Sequence, residues 1–137
     1  MTGLSHLREL FLSHSRTRYP NMPESVRSCR NYLDKTANDL TKCVTIYIQF
    51  KGGFASRISN QGTYNQKLRK YIPGTARKGL ADVMGTFKGL SLNIEVKAGK
   101  DRQSEAQKKI ESEVTASGGL YYLARNFSEF KIWFDNL

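Results

Sequence analysis

From Ala81 to the C-terminus the hydrophobic period switches repeatedly between two and about three and a half residues, and this succession most constrains the fold. Ala81 to Phe87 and Ser91 to Ala98 read as strands, and the Lys88-Gly89 pair between them suits a tight hairpin turn. Ser104-Glu105-Ala106-Gln107 matches a capping box, predicting a helix to about Ala116 with Ala106, Ile110, Val114 and Ser117 on its inner side. Gly118-Gly119 stops it, and Leu120 to Ala124 reads as a short buried strand. Asn126 caps a last helix whose Phe127, Phe130, Trp133 and Phe134 form an apolar stripe, a core face rather than a base-stacking surface.

Upstream, Leu4, Leu7, Leu10 and Phe11 share one side of an amphipathic helix suited to packing on the body or on a second subunit. Ser15 to Pro23 reads as a linker. Val26, Cys29, Leu33 and Ala37 are spaced for a second helix over residues 24–36. Asn38 or Asp39 caps the next, with Leu40, Val44, Tyr47 and Ile48 inward and Gly52-Gly53 as its stop. The β-branched run from Val44 to Ile48 also fits a strand, but the double glycine favours helix. Phe54, Ser56, Ile58 and Asn60 open a period-2 strand, and the basic, aromatic stretch Gly62 to Gly79 reads as an exposed, partly stranded excursion around Pro73-Gly74. The expected fold class is α/β, helices covering a mixed sheet. Residues 1–37 form a helical N-terminal extension and residues 38–137 the main domain.

The chain of 137 residues carries 22 Lys and Arg against 12 Asp and Glu, a net charge of +10, so a polyanion is the expected partner, with nucleic acid ahead of a membrane surface. No apolar run approaches the roughly 20 residues of a membrane span. The N-terminus does not read as a signal peptide. Cys29 and Cys43 are not spaced as a zinc pair and suit free thiols in a reducing cytoplasm.

Asp82 opens one strand; Glu95 and Lys97, two apart on the next, point to the same side, with Val96 turned to the core. A hairpin brings Asp82 beside them. Two carboxylates there suit Mg²⁺ or Mn²⁺, with the Val96 backbone carbonyl as a third oxygen. Such a metal polarises a phosphodiester and acidifies water, while Lys97 positions that water or offsets phosphate charge. A surface cross-strand ion pair is the plain alternative.

Gly79-Leu80-Ala81-Asp82, Gly89, Ile94-Glu95-Val96-Lys97, Ser104-x-x-Gln107 and Gly118-Gly119 together resemble the VRR-NUC branch of the PD-(D/E)XK nuclease superfamily, over about residues 38–134. The resemblance implies a restriction-endonuclease-like core, a central four-stranded mixed sheet flanked by helices, and Mg²⁺- or Mn²⁺-dependent DNA cleavage without an organic cofactor. It implies Asp82 and Glu95 as metal ligands, Lys97 as catalytic lysine and Gln107 as the helix glutamine that orders the site. Asp39 is the best match for a further acidic ligand, although relatives usually carry Glu there. Ala81 stands where the family often has Pro. Gln107 also suits a purely capping role, and both roles are compatible.

Arg57, Lys67, Arg69, Lys70, Arg77 and Lys78 are candidates for DNA phosphate contact or a solvated loop, and Tyr64 and Tyr71 for either contact or packing. Likeness to junction-resolving members implies a branched DNA substrate such as a Holliday junction and a two-fold homodimer, residues 4–11 being a candidate dimer element. A less selective nicking or flap nuclease is the alternative, as is a non-catalytic nucleic-acid-binding module, which has no need for carboxylates facing a polyanion.

Overall fold

The computed structural model describes every residue except Met1, Asn60, Gln61 and Thr75; the expected strand position at Asn60 lies outside the described residues. Its elements run α1 (Gly3–Arg18), a 3₁₀ turn (Glu24–Val26), α2 (Ala37–Phe50), β1 (Phe54–Arg57), β2 (Thr63–Asn65), β3 (Lys70–Ile72), β4 (Val83–Phe87), β5 (Leu90–Val96), α3 (Glu105–Ala116), β6 (Leu120–Ala124) and α4 (Phe127–Asp135). The sheet order is β1-β4-β5-β6, with a separate two-stranded ribbon of β2 and β3. β1, β4 and β5 run antiparallel, whereas β6 lies parallel to β5 after the α3 crossover. This is the expected α/β class, a four-stranded mixed sheet flanked by helices.

Local chemistry accounts for most element ends. Lys88 and Gly89 both take positive φ, 49° and 77°, which matches the twist of a two-residue hairpin. The Ser104 and Gln107 side chains form a reciprocal capping box at α3, and Asn126 accepts from the Glu129 N–H to cap α4. α2 is capped by Thr36, which accepts from the Asp39 N–H, two to three residues ahead of the expected Asn38 or Asp39.

Residues 24–36 do not form the expected helix. Only the 3₁₀ turn is regular; Val26 and Leu33 are exposed and Tyr32 is the buried residue. Arg27 holds this chain by side-chain bonds to the Ser15 hydroxyl, Glu24 and the carbonyls of Tyr19 and Met22. The expected linker also begins later, because α1 runs on to Arg18.

The core occupies one side of the sheet. Leu92, Ile94 and Val96 of β5 cluster with Leu40, Val44, Tyr47 and Ile48 of α2 and Phe127, Phe130 and Phe134 of α4. Leu7 of α1 is fully buried in the same cluster. The Tyr47 hydroxyl donates to Asp135 at 2.6 Å, tying α2 to α4. Alternation sends Asn93, Glu95 and Lys97 to the other side, the side of α3.

Candidate active site

The candidate centre is built where β4 begins and β5 ends. Val83 pairs with Ile94, so Asp82, one step earlier, falls opposite Glu95. The Asp82 carboxylate accepts the Val96 N–H at 2.8 Å, and its backbone oxygen accepts the Ile58 N–H at 2.8 Å. Gly79 lets the preceding chain run this close to α3: its φ is +89°, and a Cβ there would lie 2.5 Å from the Ala106 carbonyl oxygen.

Glu95 is 1% exposed. Its Oε1 accepts from the Gln107 side-chain amide at 2.6 Å and pairs with the Lys97 Nζ at 3.2 Å. Its Oε2 is buried without a hydrogen-bond partner. Burial, then the neighbouring Asp82 charge, pushes the Glu95 carboxyl up to about 7, against the pull of Lys97. A hydrogen bond between the Glu95 and Asp82 carboxyls, which needs a proton on one of them, adds a smaller upward push.

Gln107 both caps α3 and contacts Glu95. Its side-chain oxygen accepts from the Ser104 N–H at 2.9 Å while its amide holds Glu95. The capping box therefore fixes both the start of α3 and the orientation of the glutamate.

Further groups on this side were missed by the sequence reading. Asn93 is buried and donates to the Leu120 carbonyl at 3.2 Å. Gln103 donates to Glu111 at 2.7 Å and to the Tyr121 hydroxyl at 3.4 Å. Burial and the nearby charges of Glu95, Glu111 and Asp82 push Tyr121 up to about 12, keeping it neutral, although the Gln103 bond opposes this. Asn93 was legible, since it shares the parity of Glu95 and Lys97. Tyr121 was hidden inside what reads as a uniformly buried run, but β6 is mostly half-buried.

The other candidates are dispersed. Asp39 accepts from the Thr36 hydroxyl at 2.7 Å and lines a cleft with Arg57. Among the described residues no three Asp, Glu, His or Cys side chains converge as a metal-holding group. Arg57 donates to Asn38 at 2.6 Å and Arg77 to Glu113 at 2.6 Å. Lys67, Arg69 and Lys70 are exposed on the β2–β3 ribbon, and Lys78 is exposed beyond it. The Val96 side chain is buried in the core, as expected. Clefts of about 370 and 390 Å³ lie along α2 and between α1 and α4, and neither is lined by Asp82 or Glu95.

No protein-family model matches the chain, and a search of curated proteins returns no match. Among the described residues no helix is long and apolar enough to cross a membrane. What the site can do therefore rests on its own chemistry. Two carboxylates with one unpartnered buried oxygen fit a hard divalent cation, which would add to the single positive charge of Lys97.

Proposed function

We propose that the chain is a Mg²⁺- or Mn²⁺-dependent endodeoxyribonuclease of the PD-(D/E)XK type and VRR-NUC character, acting on branched DNA such as a Holliday junction. The observation that carries this reading is Glu95: a buried carboxylate, beside a second one, with one oxygen unpartnered and the other held by Lys97 and Gln107. Burying two carboxylates beside one lysine leaves one negative charge without a partner when both are ionised, and that supports a cation between them. An inert surface ion pair would be solvated and would need no ordering glutamine.

Asp82 and Glu95 would hold the metal, with the Val96 carbonyl as a further oxygen. When bound, the metal would lower the pKa of water and polarise the phosphodiester. Lys97 is oriented on the same side to position water or offset phosphate charge. Gln107 keeps Glu95 in one rotamer. The excess of Lys and Arg supplies the long-range attraction for DNA. Resolving a four-way junction takes two cuts, so a two-fold homodimer is part of the proposal.

The test is a cleavage panel of labelled four-way junction, flap, nicked and linear duplex DNA with Mg²⁺, Mn²⁺ or EDTA, beside Glu95→Ala and Lys97→Ala. Metal-dependent cutting of the junction, lost in both variants, is the expected result. Equal cutting of all substrates would retain the nuclease and remove the branched-DNA preference. Binding without cutting in either metal would overturn the enzyme reading.

A further inference from the structure

We infer that the β2–β3 ribbon is an arm that binds unpaired bases of single-stranded DNA, with Tyr64 and Tyr71 stacking on the bases and Lys67, Arg69 and Lys70 holding the phosphates. This rests on the nucleic-acid part of the reading above, not on catalysis.

The first observation is exposure. Tyr64 and Tyr71 are 57% and 59% exposed, so they are not the packing residues that the sequence allowed. They pair directly across the ribbon, which puts both rings on one side of it. Neither ring lies against another aromatic ring among the described residues. Leu68 at the turn is 59% exposed as well. A short two-stranded ribbon gains little stability by itself, and an exposed apolar patch on one marks a binding surface.

The second is charge. Between Asp39 and Asp82 the chain carries eight Lys and Arg and no Asp or Glu. Three of the eight, Lys67, Arg69 and Lys70, lie at the turn of the ribbon or on β3. Rings interleaved with cations suit a strand whose bases are open, because stacking needs a free base face. A closed duplex offers its phosphates but not those faces.

The third is placement. The chain leaves the main sheet at Ile58, whose N–H donates to the Asp82 carbonyl, and rejoins it at Asp82. On the return, Arg77 is paired to Glu113 at 2.6 Å and Gly79 is pressed on Ala106. The arm therefore leaves and rejoins the body beside Asp82.

The test is fluorescence anisotropy of a labelled oligothymidine and a labelled blunt duplex, both in EDTA so that cutting plays no part. Tyr64→Ala/Tyr71→Ala is expected to weaken oligothymidine binding by about ten-fold or more, and duplex binding by less than about two-fold. Tyr64→Phe/Tyr71→Phe, which keeps the rings, should retain oligothymidine binding. Lys67→Ala/Arg69→Ala/Lys70→Ala should weaken both and flatten the salt dependence. Unchanged oligothymidine binding in the Tyr→Ala pair, or equal loss on duplex, would overturn the arm. An unchanged melting temperature shows that these variants fold. Failure of metal-dependent cutting with ring-dependent binding intact would remove the nuclease and leave the arm.

Discussion

Along β5, consecutive side chains enter two different environments. Leu92, Ile94 and Val96 turn to α2 and α4, where Tyr47, Phe127, Phe130 and Phe134 pack edge-on and stacked around them. Asn93, Glu95 and Lys97 turn to α3, where Gln107 meets Glu95. The first side is built to exclude water; its polar groups are few and uncharged, the Tyr47 hydroxyl bonded to Asp135 and the Tyr32 hydroxyl buried without a partner. The second buries a carboxylate against another and leaves one oxygen unpartnered. A stretch of seven residues thus supports the fold on one side and stores unfavourable electrostatics on the other, and the second is affordable because the first is well packed.

The largest expected effect separates the two sides by stability. Phe130→Ala should cost about 3–5 kcal/mol in denaturant unfolding, because the ring is wholly buried among aromatics. Its metal-dependent cleavage per folded molecule should be unchanged. The reverse is expected of Lys97→Ala: cleavage falls by about 10²–10³-fold, with a smaller drop in unfolding midpoint than Phe130→Ala because Glu95 can take up a proton once its partner is gone. If Lys97→Ala unfolded the protein as Phe130→Ala does, the division between the sides would collapse.

Ser104→Ala lies at the seam. Loss of the cap should cost about 1 kcal/mol; with Gln107 loosened, it should also lower cleavage more than that loss of stability explains.

A smaller effect follows from Glu95 and pH. In EDTA its carboxyl is raised from 4.5 to about 7 in the folded chain, so the folded state holds this proton more tightly than the unfolded state. Its contribution is present below about pH 4.5 and is lost as pH rises through about 7. Glu95→Gln should flatten that part of a melting-temperature profile. A profile of the same slope in the variant would place the titration elsewhere.

What the sequence made legible was local and periodic. The capping box at Ser104, the Lys88-Gly89 turn and the Asn126 cap each depend on residues within one turn of chain, and each formed as expected. Alternation on β5 was enough to put Glu95 and Lys97 on one side. Residues 24–36 misled because Val26, Cys29 and Leu33 have helical spacing, yet long-range bonds decide that segment. Asp34 accepts the Phe127 N–H at 2.9 Å and the Leu33 carbonyl accepts the Cys43 thiol at 3.1 Å, uses that a helix would forgo. The Gln103–Glu111–Tyr121 contacts join α3's approach, α3 and β6, and no spacing rule announces such a meeting.

The central claim is that the unfavourable carboxylate pair is there to hold a divalent cation. The direct measurement is the melting temperature of the chain and of Glu95→Gln at pH 8, in EDTA and with Mn²⁺ added. A ligand that binds only the folded state raises that temperature. The account predicts that Mn²⁺ stabilises the original chain, and that Glu95→Gln is at least as stable as it in EDTA but gains nothing from Mn²⁺. An equal Mn²⁺ shift in both, or a variant destabilised in EDTA, would contradict it, and Glu95 would then be a structural residue paired to Lys97 and Gln107.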